Sequence, residues 1–95
     1  MTQQLTDEFA AATARLAHLE AEYQVALTEP GTLQEDRDTL RQLVEEARQA
    51  VSGAEAALER VEAGTYGRCE RCDAPIGAER LEALPDATTC IACSR

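Results

Sequence analysis

Cysteine occurs four times in this 95-residue chain, as Cys69-x-x-Cys72 and Cys90-x-x-Cys93, with seventeen residues between the pairs. Two residues between cysteines is the spacing of a tight knuckle that turns both sulfurs toward one point. A second knuckle at this separation completes a four-thiolate set. Zinc held by four protein sulfurs keeps no open position for water, so the reading is a structural site with Cys69, Cys72, Cys90 and Cys93 as ligands of one Zn²⁺. A four-cysteine set also accepts iron. A thioredoxin-like redox pair would need a single C-x-x-C in a βαβ context, and none is visible.

The rest of the chain explains why a staple is needed. Its aromatic residues are Phe9, Tyr23 and Tyr66, so the core must be thin. Chains of this size commonly add a metal to a core that is too small alone. The N-terminal Met1-Thr2-Gln3-Gln4-Leu5 has no basic region and no apolar run, and no segment approaches the ~20 apolar residues of a membrane span. The expectation is a cytoplasmic protein, where paired cysteines bind metal rather than form disulfides.

Two heptad seams precede the cysteines. Leu5, Phe9, Ala12, Leu16, Leu19, Tyr23 and Ala26 alternate four- and three-residue steps, and Leu40, Val44, Ala47, Val51, Ala54, Leu58 and Val61 repeat the pattern. Each is a narrow apolar stripe on a polar helix rich in strong helix formers. Pro30 disfavours helix at Glu29, so the first helix should stop near Thr28. Thr32-Leu33-Gln34-Glu35 has the pattern of a capping box for the second. A short loop between long helices makes them antiparallel neighbours. Pairing residues whose numbers sum to 63 sets large side chains against small ones, for example Leu19 by Val44 and Leu16 by Ala47. Gly64 suits the left-handed position that ends the second helix.

The expected architecture is therefore mainly α. Residues 1–63 form a long antiparallel coiled-coil hairpin with its tip at about 28–38, and residues 64–95 form a small four-cysteine zinc finger at its base. Around the cysteines, Ile76, Leu81, Leu84 and Ile91 are expected to pack against Leu5, Leu58 and Val61. A small β-hairpin is expected after Cys72 and a helical turn after Cys90. Arg68 and Arg71 flank the first pair, either offsetting thiolate charge or lying on the solvated surface.

Charge separates the two parts. Residues 1–63 carry thirteen acids and five arginines, and residues 64–95 carry five acids and four arginines, which gives −8 and −1 toward the net −9. Such a balance disfavours duplex nucleic acid as a direct partner, because affinity there comes from neutralising phosphates. The sole histidine, His18, reads as a helix-surface side chain. No nucleophile–base pair or phosphate loop is present, so an enzyme is not expected.

At the cysteines the residues resemble a known family. Gly64-Thr65-Tyr66-Gly67-x-Cys69-x-x-Cys72-x-x-x-Ile76, then Arg80-Leu81-x-Ala83-x-Pro85, then Cys90-x-x-Cys93, is similar to the zinc-finger signature of the DksA/TraR family. The resemblance implies a bacterial transcription factor that binds RNA polymerase rather than DNA. It further implies a coiled-coil finger inserted into the secondary channel, with acids at its tip and with ppGpp as a ligand shared with the polymerase. The best-known members place two aspartates three apart at the tip, followed by alanine. Here Glu29 stands where the first aspartate would, with Thr32 at the second position. Glu35 and Asp38 are also three apart, but Thr39 follows. The candidate partner-binding residues are Glu29, Glu35, Asp36 and Asp38. The alternative is a zinc-stapled coiled coil that serves as a protein-interaction module with no polymerase role.

Overall fold

The computed structural model describes residues 2–94, with the side chain of Thr2 excepted. Two long helices dominate it: α1 spans Thr2–Thr28 and α2 spans Gln34–Ala63. A short third helix, α3, spans Ala78–Ala83 within the cysteine segment. No strand forms among the described residues; an isolated bridge pairs Arg68 with Pro75. Helices α1 and α2 fold back on each other as an antiparallel hairpin, and the molecule measures 53 × 28 × 19 Å.

Both seams are consumed between these two helices. All fourteen seam residues are buried or half-buried, while most positions between them face solvent. Leu19, Val44 and Ala47 form one buried cluster, with Leu16, Tyr23 and Leu43 against it. This is the register in which Leu19 meets Val44. Nearer the tip, Arg37 Nε donates to the Ala26 carbonyl at 3.2 Å, which keeps the same pairing. At the other end Leu5 is the largest fully buried side chain, at 1% exposure. Burying a leucine of this kind stabilises by about 1.5–3 kcal/mol, and the hairpin has few of them.

The α1–α2 connection differs from the expected capping box. The Thr32 backbone N–H donates to the Glu29 carbonyl at 3.2 Å, closing a tight turn. The residue that precedes α2 is Leu33, extended at φ −74 and ψ 149, and no side chain caps the helix there. Leu33 offers its carbonyl to the N–H groups of Asp36 and Arg37. The turn takes up Thr32, so α2 starts one residue too late for Thr32 and Glu35 to cap it reciprocally.

Gly64 ends α2 in the left-handed region at φ 77, as expected from sequence. The Thr65 and Tyr66 N–H groups then return to the Arg60 carbonyl at 2.9 and 3.1 Å. The chain is thereby turned sharply into the cysteine segment.

That segment has a core of its own. Cys69, Ile76 and Leu81 are buried together, with Tyr66, Ala87, Cys90 and Cys93 packed around them. Leu84 and Ile91 are exposed instead of packing on the hairpin. The correction has a physical cause: α3 makes no helix-to-helix contact with α1 or α2, because its apolar side is spent on Ile76 and the cysteines. The expected hairpin after Cys72 is also displaced. The bridge straddles the first cysteine pair, with Cys69 N–H bonded to the Ala74 carbonyl and Ile76 N–H to the Gly67 carbonyl, both at 2.8 Å. The helical turn after Cys90 is present, with the Cys93 and Ser94 N–H groups returning to the Cys90 carbonyl.

Candidate metal centre

Two knuckles bring the sulfurs together. In the first, the Asp73 N–H bonds to the Cys69 carbonyl, and Asp73 adopts φ 61, a left-handed value that aspartate tolerates. The Arg71 N–H points at Cys69 Sγ at 3.4 Å. The turn at Cys90–Ser94 forms the second knuckle. Between them, the Glu70 N–H bonds to the Thr88 carbonyl at 2.9 Å, and Thr88 Oγ1 donates to Glu70 Oε1 at 3.3 Å.

The result is a compact donor set. Sγ atoms of Cys69, Cys72, Cys90 and Cys93 all lie within 4.8 Å of one another, and Cys72 and Cys90 sulfurs are 3.7 Å apart. A tetrahedron of Zn–S bonds near 2.3 Å sets its sulfurs about 3.8 Å apart. The residues present therefore fit one structural zinc ion. Its chemistry would be that of a clamp: a 2+ charge that lets all four sulfurs ionise in one place.

Without that charge the four thiols divide. The Cys90 backbone N–H, with help from those of Cys72 and Arg71, pulls the Cys69 thiol down to about 6, although burial opposes it. Cys90 is lowered chiefly by the Cys93 backbone N–H. Cys93 is pushed up to about 12, first by the Cys69 sulfur and then by those of Cys72 and Cys90. For Cys72 the Ala74 backbone N–H lowers the pKa, but the sulfurs of Cys69 and Cys90 prevail and raise it. Four sulfurs this close cannot all ionise alone, so two hold protons for the others.

One arginine ties the cysteine segment to the hairpin, and three more brace that segment from within. Arg60, in the last turn of α2, donates through Nη2 to the Thr65 carbonyl at 3.1 Å and also to the Arg68 carbonyl. Arg68 Nη1 donates to the Asp73 carbonyl at 2.9 Å, and Arg71 Nη1 to the Cys93 carbonyl at 3.2 Å. Arg80 Nε donates to the Thr89 carbonyl at 2.9 Å. Arg68 and Arg71 thus brace knuckle carbonyls while remaining exposed. Tyr66 adds a hydroxyl bond to the Pro85 carbonyl at 2.8 Å. Its phenol pKa is raised, by burial first and then by the charges of Glu8 and Asp86.

Gly53 is the contact point between α2 and the loop after α3. A Cβ placed there would stand 2.5 Å from Asp86 Oδ2. An isolated glycine inside a helix costs about 1 kcal/mol against alanine, and here it admits a close neighbour. Neither Gly53 nor Arg60 stood out in the sequence. Gly53 carried a faint signal as the single glycine within a helical pattern, and Arg60 looked like an ordinary last-turn arginine.

The tip residues are gathered at the opposite end. Glu29, Glu35, Asp36 and Asp38 are all exposed. Asp38 is engaged by Gln34 Nε2 at 3.0 Å and Arg41 Nη2 at 3.4 Å, whereas Glu29, Glu35 and Asp36 form no ion pair among the described residues. Among the described residues no helix is long and apolar enough to cross a membrane.

Comparison with known proteins agrees with this arrangement. Residues 64–95 match the model of the prokaryotic dksA/traR C4-type zinc finger. The RNA polymerase-binding transcription factor DksA of Caulobacter vibrioides is 39% identical over 75 residues, which cover 77% of this chain and 53% of that protein. The Escherichia coli protein of the same name is 44% identical over 46 residues, covering 48% of this chain and 30% of its own length. The chain thus spans about half the length of the first of these relatives. The structure of transcription factor DksA2 from Pseudomonas aeruginosa superposes with a TM-score of 0.88 and 26% identity, covering 98% of this chain and 76% of that one. A matching finger signature, a relative aligned along most of the chain and the same hairpin-on-clamp fold converge, and this chain belongs to the DksA/TraR family.

Proposed function

We propose that this protein binds RNA polymerase and modulates transcription initiation, with the helical hairpin as the inserted tool and the zinc finger as its clamp. The observation that carries the reading is the whole-chain likeness to a transcription factor structure, hairpin included, over 98% of the chain. In this reading Cys69, Cys72, Cys90 and Cys93 ligate one structural Zn²⁺. The route is the secondary channel, and Glu29, Glu35, Asp36 and Asp38 are the working acids at the tip. An acidic finger suits a channel that admits nucleotides, where basic walls and a metal ion attract it. The protein acts in the cytoplasm, and ppGpp enters only as a ligand shared with the polymerase.

The seams support this over a coiled coil shared between chains, because they are already buried within one hairpin. The test is co-migration of the purified chain with core polymerase, followed by transcription with a variant carrying E29Q, E35Q, D36N and D38N. Binding at micromolar concentration and loss of the transcriptional effect in the folded variant are expected. A chain that ignores the polymerase, or a variant as active as its parent, sinks the proposal.

A further inference from the structure

The zinc finger meets the hairpin at two separate places. The first is the junction, where Arg60 gathers the Thr65 and Arg68 carbonyls. The second is the seat of Asp86 over Gly53, about 16 Å back along α2 from Gly64. An attachment at the junction alone would let the finger swivel about Gly64. A second attachment this far away fixes its pitch. Helix α3 does not supply it, since α3 touches neither α1 nor α2.

The hairpin is shaped to receive the loop that carries Asp86. Ala12, Ala50 and Ala54 line the crevice beside it, together with Glu8, so most hairpin residues under the loop are small. Gly53 is the extreme case. A Cβ there would stand 2.5 Å from Asp86 Oδ2, 3.6 Å from its Cγ and 3.9 Å from its Cβ. Turning the carboxylate relieves the first contact for alanine. A longer side chain runs on into Cγ and Cβ and must lift the loop.

Stability does not explain the seat. Tyr66 holds the loop from the finger side, with its hydroxyl on the Pro85 carbonyl at 2.8 Å. Asp86 itself has no hydrogen bond or ion pair to α2, and Glu8 brings a second negative charge to the same crevice. Glycine inside a helix also costs about 1 kcal/mol against alanine. A choice that gives up helix propensity and gathers like charges is kept for its geometry.

We propose that Gly53 and Asp86 are positioning residues that set the angle between zinc finger and hairpin, and through it the line on which the hairpin approaches the polymerase. This rests on the polymerase reading above. The leverage is large. The 30 residues of α2 span about 45 Å, so a swing of about 10° around Gly64 carries the tip about 8 Å, well beyond the reach of a hydrogen bond.

Gly53→Leu in the zinc-loaded full chain is expected to keep its metal and its helical content. It should turn the finger against α2 by an angle of that order, read from residual dipolar couplings, and weaken binding to core polymerase about tenfold. Adding Asp86→Gly exchanges the bulk across the contact and is expected to restore both orientation and affinity, a rescue that damage to α2 alone would not show. Asp86→Gly by itself alters neither helix. It is expected to leave the melting temperature unchanged while the finger's couplings shrink as it swivels. Couplings identical to the parent's in that variant overturn the inference, even where Gly53→Leu fails to fold. An unturned finger in Gly53→Leu, a turned finger with parental affinity, or a double variant that recovers neither property also overturns it, and leaves the polymerase reading intact. If the unaltered chain does not bind polymerase, the functional half falls with that reading, and the couplings alone decide whether the pair sets the angle.

Discussion

At the base of the finger, Arg60, Gly64 and Tyr66 return the chain onto itself within a few residues, and four sulfurs close the structure behind them. At the tip, one turn bond, an Arg37 bond to Ala26 and an uncapped helix start do the same job. The base is specified many times over and carries little net charge. The tip is held by few contacts, and it concentrates exposed acids and exposed leucines. The cross-links thus gather at the base, and the tip is left with acidic and apolar side chains in solvent.

Metal removal tests the comparison most severely. Structural zinc contributes about 10–16 kcal/mol of apparent binding energy in small finger peptides, and that energy is folding energy. Cys69→Ser, or a strong chelator, is expected to unfold residues 64–94, read as rapid proteolysis after Gly64 and loss of cooperative melting. Acid acts in the same direction. Sulfur must be deprotonated to bind metal, so metal affinity falls with falling pH, and a metal-free Cys69 is itself protonated below about 6. Zinc-dependent refolding is therefore expected to weaken progressively as pH falls. Equal melting curves with and without zinc would leave the base no better held than the tip.

Arg60 comes next. Its guanidinium holds two carbonyls across the junction of hairpin and finger, and bonds to charged groups contribute about 1.5–3 kcal/mol each when well formed. The side chain is only half-buried, which argues for the lower end. Arg60→Ala should cost about 2 kcal/mol in urea unfolding, more than removal of any tip arginine. Lysine at this position should recover only part of this: both carbonyls converge on one nitrogen, Nη2, but lysine must bring a more strongly hydrated ammonium to that point on a freely rotating stem.

How far the sequence revealed all this differed between the two ends. Seams, register and Gly64 were legible because helix periodicity and a left-handed turn leave marks on residue type. The cysteine spacing announced the metal for the same reason. What escaped were contacts that leave no mark on residue type: Arg60 on the Arg68 carbonyl, Asp86 over Gly53, and the separate core around Ile76 and Leu81. Arginine donates to any carbonyl in reach, so its identity does not name its partner. The capping box failed for a different reason. Thr32 satisfied the local motif, but the turn claimed its backbone first and left Leu33 at the cap. That competition is invisible until the loop is closed.

The finest discrimination uses one substitution twice. Gly64 sits at φ 77, where a β-carbon crowds the following carbonyl, so Gly64→Ala should destabilise by about 1–2 kcal/mol although nothing lies within 4 Å of the new atom. Gly31, at the tip, also has open space around it but has no left-handed backbone to lose. There alanine restricts the unfolded chain and leaves the native turn unstrained, so Gly31→Ala should stabilise by about 0.4–1 kcal/mol. Opposite signs in parallel urea titrations would show that the base spends its glycine on a required geometry while the tip keeps slack that folding does not use. Two changes of the same sign would mean that the tip turn is as constrained as the base, and the contrast between the ends would then rest on the metal alone.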